Sequence, residues 1–144
     1  MATPKIRILC VGKSREPWLK TTLAHYAERS KPYLTLEWVE VDDEEALLRA
    51  ARTGQPIALD PRGREQTSEE WCVSLYQELE ARGEITLLIG GADGFSPALR
   101  ALLPTQRMWS LSRLTMTHQV VRIMLAEQLY RAALIHIGHP YHRA

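Results

Sequence analysis

The chain has 144 residues, of which 45% are hydrophobic, and a formal net charge of +1. That length suits one domain spanning residues 1–144, and the composition excludes a disordered chain. No apolar run reaches the ~18 residues of a membrane span. The opening Met1-Ala2-Thr3-Pro4-Lys5 leads directly into a strand, with no room for a signal peptide. Cys10 and Cys72 lie in apolar stretches and suggest no disulfide framework, so a cytoplasmic protein is expected.

The near-neutral total hides an asymmetry. Residues 1–36 hold seven basic and two acidic side chains, net +5; residues 37–84 hold five and thirteen, net −8; residues 104–144 hold five and one, net +4. If the two basic ends meet in space they form a face suited to a polyanion. An ordinary mixed surface has the same composition.

In chain order, Lys5–Val11 predicts a strand closed by Gly12, and Pro17–Arg29 a helix with Trp18, Leu19, Thr22, Leu23 and Tyr26 at helical spacing. Tyr33–Val41 alternates as a strand. Asp42 or Asp43 caps a helix through Arg52, stopped by Gly54. Pro56–Asp60 reads as a short buried strand ending in a Pro-Arg-Gly-Arg turn. Thr67 or Ser68, followed by Glu69 and Glu70, starts a helix through about Arg82. Ile85–Ile89 is almost purely apolar, the mark of a central parallel strand. Pro97–Leu103 is a short helix, Trp109–Leu111 a strand and His118–Ile137 the last helix. This alternation predicts an α/β fold, a mainly parallel sheet with helices on both faces. Such sheets bind ligands beyond the carboxyl ends of their strands. Three ends stand out: Leu59-Asp60, Gly90-Gly91 and Ser112-Arg113.

Gly90-Gly91-x-x-Gly94 lacks the Lys-Ser/Thr of a phosphate loop and is not a GxGxxG fingerprint. It allows close approach of a ligand to the backbone, and equally a plain strand-to-helix turn capped by Asp93 or Ser96. Arg113-Leu114-Thr115-Met116-Thr117-His118 is apolar for a loop and has no glycine. Its Leu114 and Met116 suit a flat apolar ligand such as an adenine, and equally a subunit interface. The last helix is apolar on more than one stripe, so it is buried on two sides. Glu127 and Arg131 are an i,i+4 pair read as helix support, and Arg122 lies one turn after His118. His139-Pro140-Tyr141-His142 has H-x-x-H spacing, but a structural zinc site needs four close ligands and the cysteines lie far off, so no metal is expected. A tail of Tyr, His and Arg suits RNA better, through base stacking and phosphate contact.

Four segments occur in order: Leu87-Leu88-Ile89-Gly90-Gly91-x-x-Gly94-x-Ser96-Pro97, Trp109-Ser110-Leu111-Ser112-x-Leu114-Thr115-x-x-His118, Val121-Arg122-x-x-x-x-Glu127-Gln128-Leu129-Tyr130-Arg131-Ala132, and His139-Pro140-Tyr141-His142-Arg143. Together they resemble the bacterial ribosomal large-subunit methyltransferase H (RlmH) family. The match is dense over residues 85–143 and looser through Ile8–Lys13 and Leu59-Asp60. The resemblance implies a SPOUT-class methyltransferase with a C-terminal trefoil knot, which no periodicity shows. It further implies S-adenosylmethionine as cofactor, a homodimer, and methylation of N3 of a pseudouridine in 23S rRNA on the assembled 70S ribosome. Carried over residue by residue, cofactor contacts fall on Leu59, Gly91 and the loop Arg113, Leu114, Thr115, Met116, Thr117 and His118. The family's tail falls on Tyr141, His142 and Arg143, which complete the nucleotide site.

The acceptor nitrogen must lose a proton, so a base or a stabilising cation helps. His118, His142, Arg122 and Arg143 are the candidates, with His142 or Tyr141 as base or orienting group and Arg143 as the cation. One departure stands out: where relatives carry a longer, lysine-rich stretch, Asp42–Gln55 is short and acidic, which bears on ribosome affinity and not on cofactor binding. Two competing readings make other demands. A non-catalytic ribosome-binding module predicts a damaged cofactor loop or tail, and a nucleotide enzyme unrelated to RNA predicts a phosphate loop or a clustered catalytic acid. The sequence has none of these.

Overall fold

A computed structural model describes residues 3–51 and 55–143. Its elements run β1 (Lys5–Val11), α1 (Pro17–Ser30), β2 (Thr35–Val41), α2 (Glu44–Ala51), β3 (Ile57–Glu65), α3 (Ser68–Arg82), β4 (Glu84–Ile89), α4 (Pro97–Leu102), β5 (Met108–Ser110) and α5 (His118–His136). The sheet has the order β2-β1-β4-β3-β5, and every pairing is parallel. The apolar run Ile85–Ile89 lies at its centre, flanked by β1 and β3, because only a strand covered on both faces can be apolar throughout.

Side chains alternate across the sheet and divide the core into two layers. Ile6, Ile8, Ile57, Ile85 and Leu87 meet Trp71 and Leu75 of α3 and Leu125 and Leu129 of α5 on one face. Leu9, Ala58 and Leu88 meet Leu47 of α2 and Leu99 of α4 on the other. Each large aliphatic so buried contributes roughly 1.5–3 kcal/mol. Helix starts follow local chemistry. Thr67 and Glu70 form a reciprocal capping box on α3, Ser96 caps α4, and Thr117 caps α5. Asp43 Oδ1 accepts from the Ala46 amide at 2.8 Å and starts α2. The expected end of that helix at Arg52 and Gly54 lies outside the described residues.

Two expectations need correction. The strand at Pro56–Asp60 does not end in a turn; β3 runs to Glu65, with an irregular register between Leu59 and Arg64, both of which pair with Trp109. Gly63 permits this, since a Cβ there would lie 2.7 Å from the Met108 carbonyl carbon and oxygen. The strand expected at Trp109–Leu111 is displaced by one residue to Met108–Ser110. The two basic ends of the chain do meet: α1 packs beside α5, and Arg29 Nη2 donates to the Tyr130 hydroxyl at 3.1 Å.

Candidate active site

The bend of β3 at Leu59–Arg62 and the carboxyl end of β4, together with the loop before α5, enclose a cavity of about 370 Å³. Its walls include Leu59, Ile89, the Gly90–Phe95 loop, Leu114, Thr115, Met116, His118 and Val121. The glycines make room by being glycines. A Cβ on Gly90 would lie 2.9 Å from the Gly94 carbonyl carbon, and one on Gly91 would lie 3.2 Å from Val11 Cγ1. Gly94 has φ +71° and its amide donates to the Gly91 carbonyl at 2.9 Å, so the loop folds back on itself. Its far end is tied to α2: the Ser96 amide donates to Glu44 Oε2 at 3.0 Å, and the Ser96 hydroxyl bonds Glu44 Oε1. Glu44, in the acidic stretch after β2, thus braces the cavity wall, a role its charge alone did not suggest.

Polar groups at the floor are largely paired. Asp60 is 3% exposed, takes Arg100 Nε and Nη2 at 2.9 Å each, and accepts the Arg62 amide at 2.8 Å. That pair fixes the bend at Pro61-Arg62 over the cavity. His118 has its imidazole held below the usual histidine range, chiefly by burial and then by the Arg122 charge, against the pull of Glu16. It is a neutral ring at pH 7, with Nδ1 buried and without a partner in the described structure.

Of the residues carried over for the cofactor, Leu59, Gly91, Leu114, Thr115, Met116 and His118 come together in the cavity. Arg113 and Thr117 do not line it. Arg113 Nε pairs with Glu65 at 3.2 Å on the outside of the loop, and the Thr117 hydroxyl accepts the Val120 amide. Arg122, a candidate cation, is 1% exposed and committed to Glu40 Oε2 at 2.8 Å and the Gly12 carbonyl at 2.9 Å. It faces the protein interior and not a substrate.

Tyr141, His142 and Arg143 line no part of this cavity. The Tyr141 hydroxyl donates to Glu127 Oε2 at 2.8 Å, its ring meets Tyr130 edge-on at 5.1 Å between centroids, and Arg131 lies over it. Glu127 is nine residues along α5 from His118, roughly 14 Å at 1.5 Å per residue. His142 Nδ1 lies 3.0 Å from Arg131 Nη1 and its Nε2 lies 3.1 Å from Glu69 Oε1. A guanidinium only donates, so Nδ1 is the acceptor and Nε2 carries the hydrogen. Arg143 is exposed. Burial and the bond to Glu127 push the Tyr141 phenol up to about 12, which makes it a hydrogen-bond donor and not a base at neutral pH. Glu127 and Arg131, read from spacing as helix support, are the dock for the tail. The i,i+4 spacing showed the pair, but only the fold brings Tyr141 and His142 back onto it. The H-x-x-H pair divides: His139 Nδ1 accepts the Tyr141 amide at 3.1 Å within the tail, while His142 bonds Arg131 and Glu69 on the helices.

A family model described as predicted SPOUT methyltransferase matches residues 4–142. The ribosomal RNA large subunit methyltransferase H of Polynucleobacter necessarius is 40% identical over 139 residues, covering 96% of this chain and 98% of the relative. The protein of the same name from Acinetobacter baumannii is 36% identical over 160 residues, covering 97% of this chain and 99% of its own length. Among solved structures, a probable methylase family protein from Haemophilus influenzae superposes with a TM-score of 0.60 at 12% identity, over 96% of this chain and 70% of that one. A probable methyltransferase from Bordetella pertussis gives 0.59 at 13% identity, over 92% and 97%. At such identities the two structures bear on the fold alone.

Proposed function

The chain belongs to the SPOUT methyltransferase family, and on that premise we propose that it transfers a methyl group from S-adenosylmethionine to N3 of a pseudouridine in 23S rRNA, acting in the cytoplasm on the assembled 70S ribosome. The observation that carries this reading is the cavity at the bend of β3 and the end of β4, walled by the Gly90–Phe95 backbone and the apolar loop before α5. Its volume falls within the roughly 300–1,000 Å³ of small-ligand sites. Its apolar side chains and open backbone suit an adenine held by main-chain groups. S-adenosylmethionine, when bound, supplies a methyl carbon already activated by the neighbouring sulfonium charge.

We assign Leu59, Gly91, Leu114, Thr115, Met116 and His118 to holding the cofactor, with Arg113 and Thr117 framing their loop from outside. A neutral His118 avoids placing a second positive charge beside a cationic ligand. The tail is anchored on α3 and α5 of its own chain, away from its own cavity. A tail that serves a cavity therefore comes from a second copy, which gives the homodimer a chemical purpose. Tyr141 acts there as a donor that orients the base, and Arg143, exposed, faces the negative charge that develops as the imide nitrogen gives up its proton to solvent water. Most of the acceleration then comes from alignment of the nitrogen with the methyl carbon. The C-terminal trefoil knot of the SPOUT class belongs to this reading.

The test is methyl transfer from labelled S-adenosylmethionine to 70S ribosomes from a strain lacking its own enzyme, with free subunits and naked rRNA in parallel. Label on the 70S particle alone is expected. No label on any substrate, with cofactor binding intact by calorimetry, would turn the reading into that of a non-catalytic RNA-binding protein.

A further inference from the structure

The turn after β1 rests on more buried polar structure than a turn requires. Arg122 of α5 donates from Nη1 to Glu40 Oε2, and from Nη2 to the carbonyls of Gly12 at 2.9 Å and Val11 at 3.4 Å. Glu40 accepts in turn from the Ser14 amide. The Gly12 amide donates to the Val41 carbonyl at 2.8 Å, and Gly12 itself has φ +95°. Burying the Arg122 guanidinium, with Glu40 still reaching solvent, is costly in desolvation and stabilises a fold less than apolar packing of the same volume. Its effect here is conformational: one ion pair fixes three backbone groups of Val11–Ser14.

The outcome is a rigid turn with its residues sorted by side. Ser14 points inward at 6% exposure, while Lys13 and Arg15 are exposed and make no ion pair among the described residues. The turn borders the cavity, since a Cβ on Gly12 would lie 3.9 Å from His118 Cε1. Across the cavity Arg62 is exposed and also makes no ion pair among the described residues. In the order β1-β4-β3, these cations follow the two strands that flank β4 and its Gly90–Phe95 loop, and those strands are two spacings or about 10 Å apart. Lys13 and Arg15 stand at the rim and do not line the cavity, so they address a ligand that extends past it. A polymer whose base enters the cavity carries its phosphates past that rim.

We propose that Lys13 and Arg15, with Arg62 opposite, form a preset grip on the phosphodiester backbone of the RNA strand that presents its base to the cavity. Arg122 and Glu40 are positioning residues for that grip. The inference rests on the RNA methyltransferase reading above.

The experiment measures binding to 70S ribosomes across a salt series for the wild type and for Lys13→Ala/Arg15→Ala, with S-adenosylmethionine affinity of the free protein by calorimetry. Each cation that contacts a phosphate adds on the order of 0.7 to the slope of log K against log salt for a single strand. The double variant is expected to flatten that slope by roughly 1.4 with cofactor affinity unchanged. The exchange Lys13→Arg/Arg15→Lys is expected to keep the slope. Glu40→Gln, which leaves the cations in place on a looser turn, is expected to weaken ribosome binding at unchanged slope. A double variant with the wild-type slope would overturn the grip. A wild type that binds cofactor and yet neither binds nor methylates 70S particles would overturn the RNA reading beneath it, and the grip with it.

Discussion

The Tyr141 hydroxyl donates to Glu127 Oε2 across 2.8 Å, so the tail is fastened to the middle of α5 by a neutral donor and a carboxylate. Burial alone would raise the Glu127 carboxyl, but the bonds from Arg131 and Tyr141 and the charge of Arg131 outweigh it and hold the group below its ordinary 4.5. The tail's order therefore depends on a charge that is present at neutral pH.

Tyr141→Phe removes a hydrogen bond to a charged group, a contact of about 1.5 kcal/mol at this partly exposed position. We expect faster amide exchange in residues 139–143 and a fall in turnover of tenfold or more, with cofactor affinity unchanged. Because the Glu127 pKa is lowered on folding, its contribution is present above the ordinary carboxylate range and lost as pH falls below about 4.5. Exchange of the wild-type tail should accelerate over that range. Turnover of Tyr141→Phe equal to wild type would remove the tail from the reaction.

His118 titrates in the same direction, at higher pH. Its folded-state pKa lies below the ordinary 6.5, so the unfolded chain takes up the proton first as pH falls. Stability should be flat above pH 6.5 and decline below it, while cofactor affinity should hold to lower pH and fall only as the folded-state ring itself protonates and faces a cationic ligand. Calorimetric titration with S-adenosylmethionine between pH 5 and 8 reads this directly. A His118→Asn variant should bind with little change over the same range.

Glu44→Ala leaves the Ser96 amide and hydroxyl without their partner and loosens the Gly90–Ser96 loop. Loss of a part-buried bond of this kind costs about 1–2 kcal/mol, or roughly five- to thirtyfold in affinity. The expected signature is weaker S-adenosylmethionine binding, largely restored in Glu44→Gln, which keeps an acceptor for the amide. Unchanged affinity in the alanine variant would mean that the loop holds itself.

Gly63→Ala forces a Cβ to within 2.7 Å of the Met108 carbonyl. Overpacking against backbone typically costs about 1–3 kcal/mol, a drop in Tm of roughly 4–12 °C for a chain of this length. Thermal unfolding followed by circular dichroism is the check, and a Tm within 1 °C of wild type would show that β3 and β5 separate easily there.

Much of this was legible in the sequence wherever the signal was local. The Thr67-x-x-Glu70 spacing is a capping box because both partners lie within one turn, and Ile85–Ile89 is central because nothing in it tolerates water. The glycine pair and the apolar 113–118 loop pointed to one place, since strand ends of a parallel sheet converge. What escaped notice depends on distant segments. Pro61-Arg62-Gly63-Arg64 spells a turn, yet pairing with β5 carries it on as strand. Arg122 looked available because its partners, Glu40 and the Gly12 carbonyl, lie more than eighty residues away. The acidic segment read as a lost RNA contact because its bond to Ser96 leaves no trace in spacing.

The sheet order has a kinetic side. β1 pairs with β4 from Lys5↔Glu84 onward, so the first strand to be synthesised waits for a neighbour 79 residues downstream. At about 5–20 residues per second, that wait is roughly 4–16 s. During it Ile6, Ile8, Leu9 and Cys10, all buried in the finished protein, have only β2 beside them. Assembly of the centre of the sheet is thus a late, long-range event. A nascent chain stalled before residue 84 would present an apolar parallel ribbon open along one edge, a natural client for a chaperone at the ribosome.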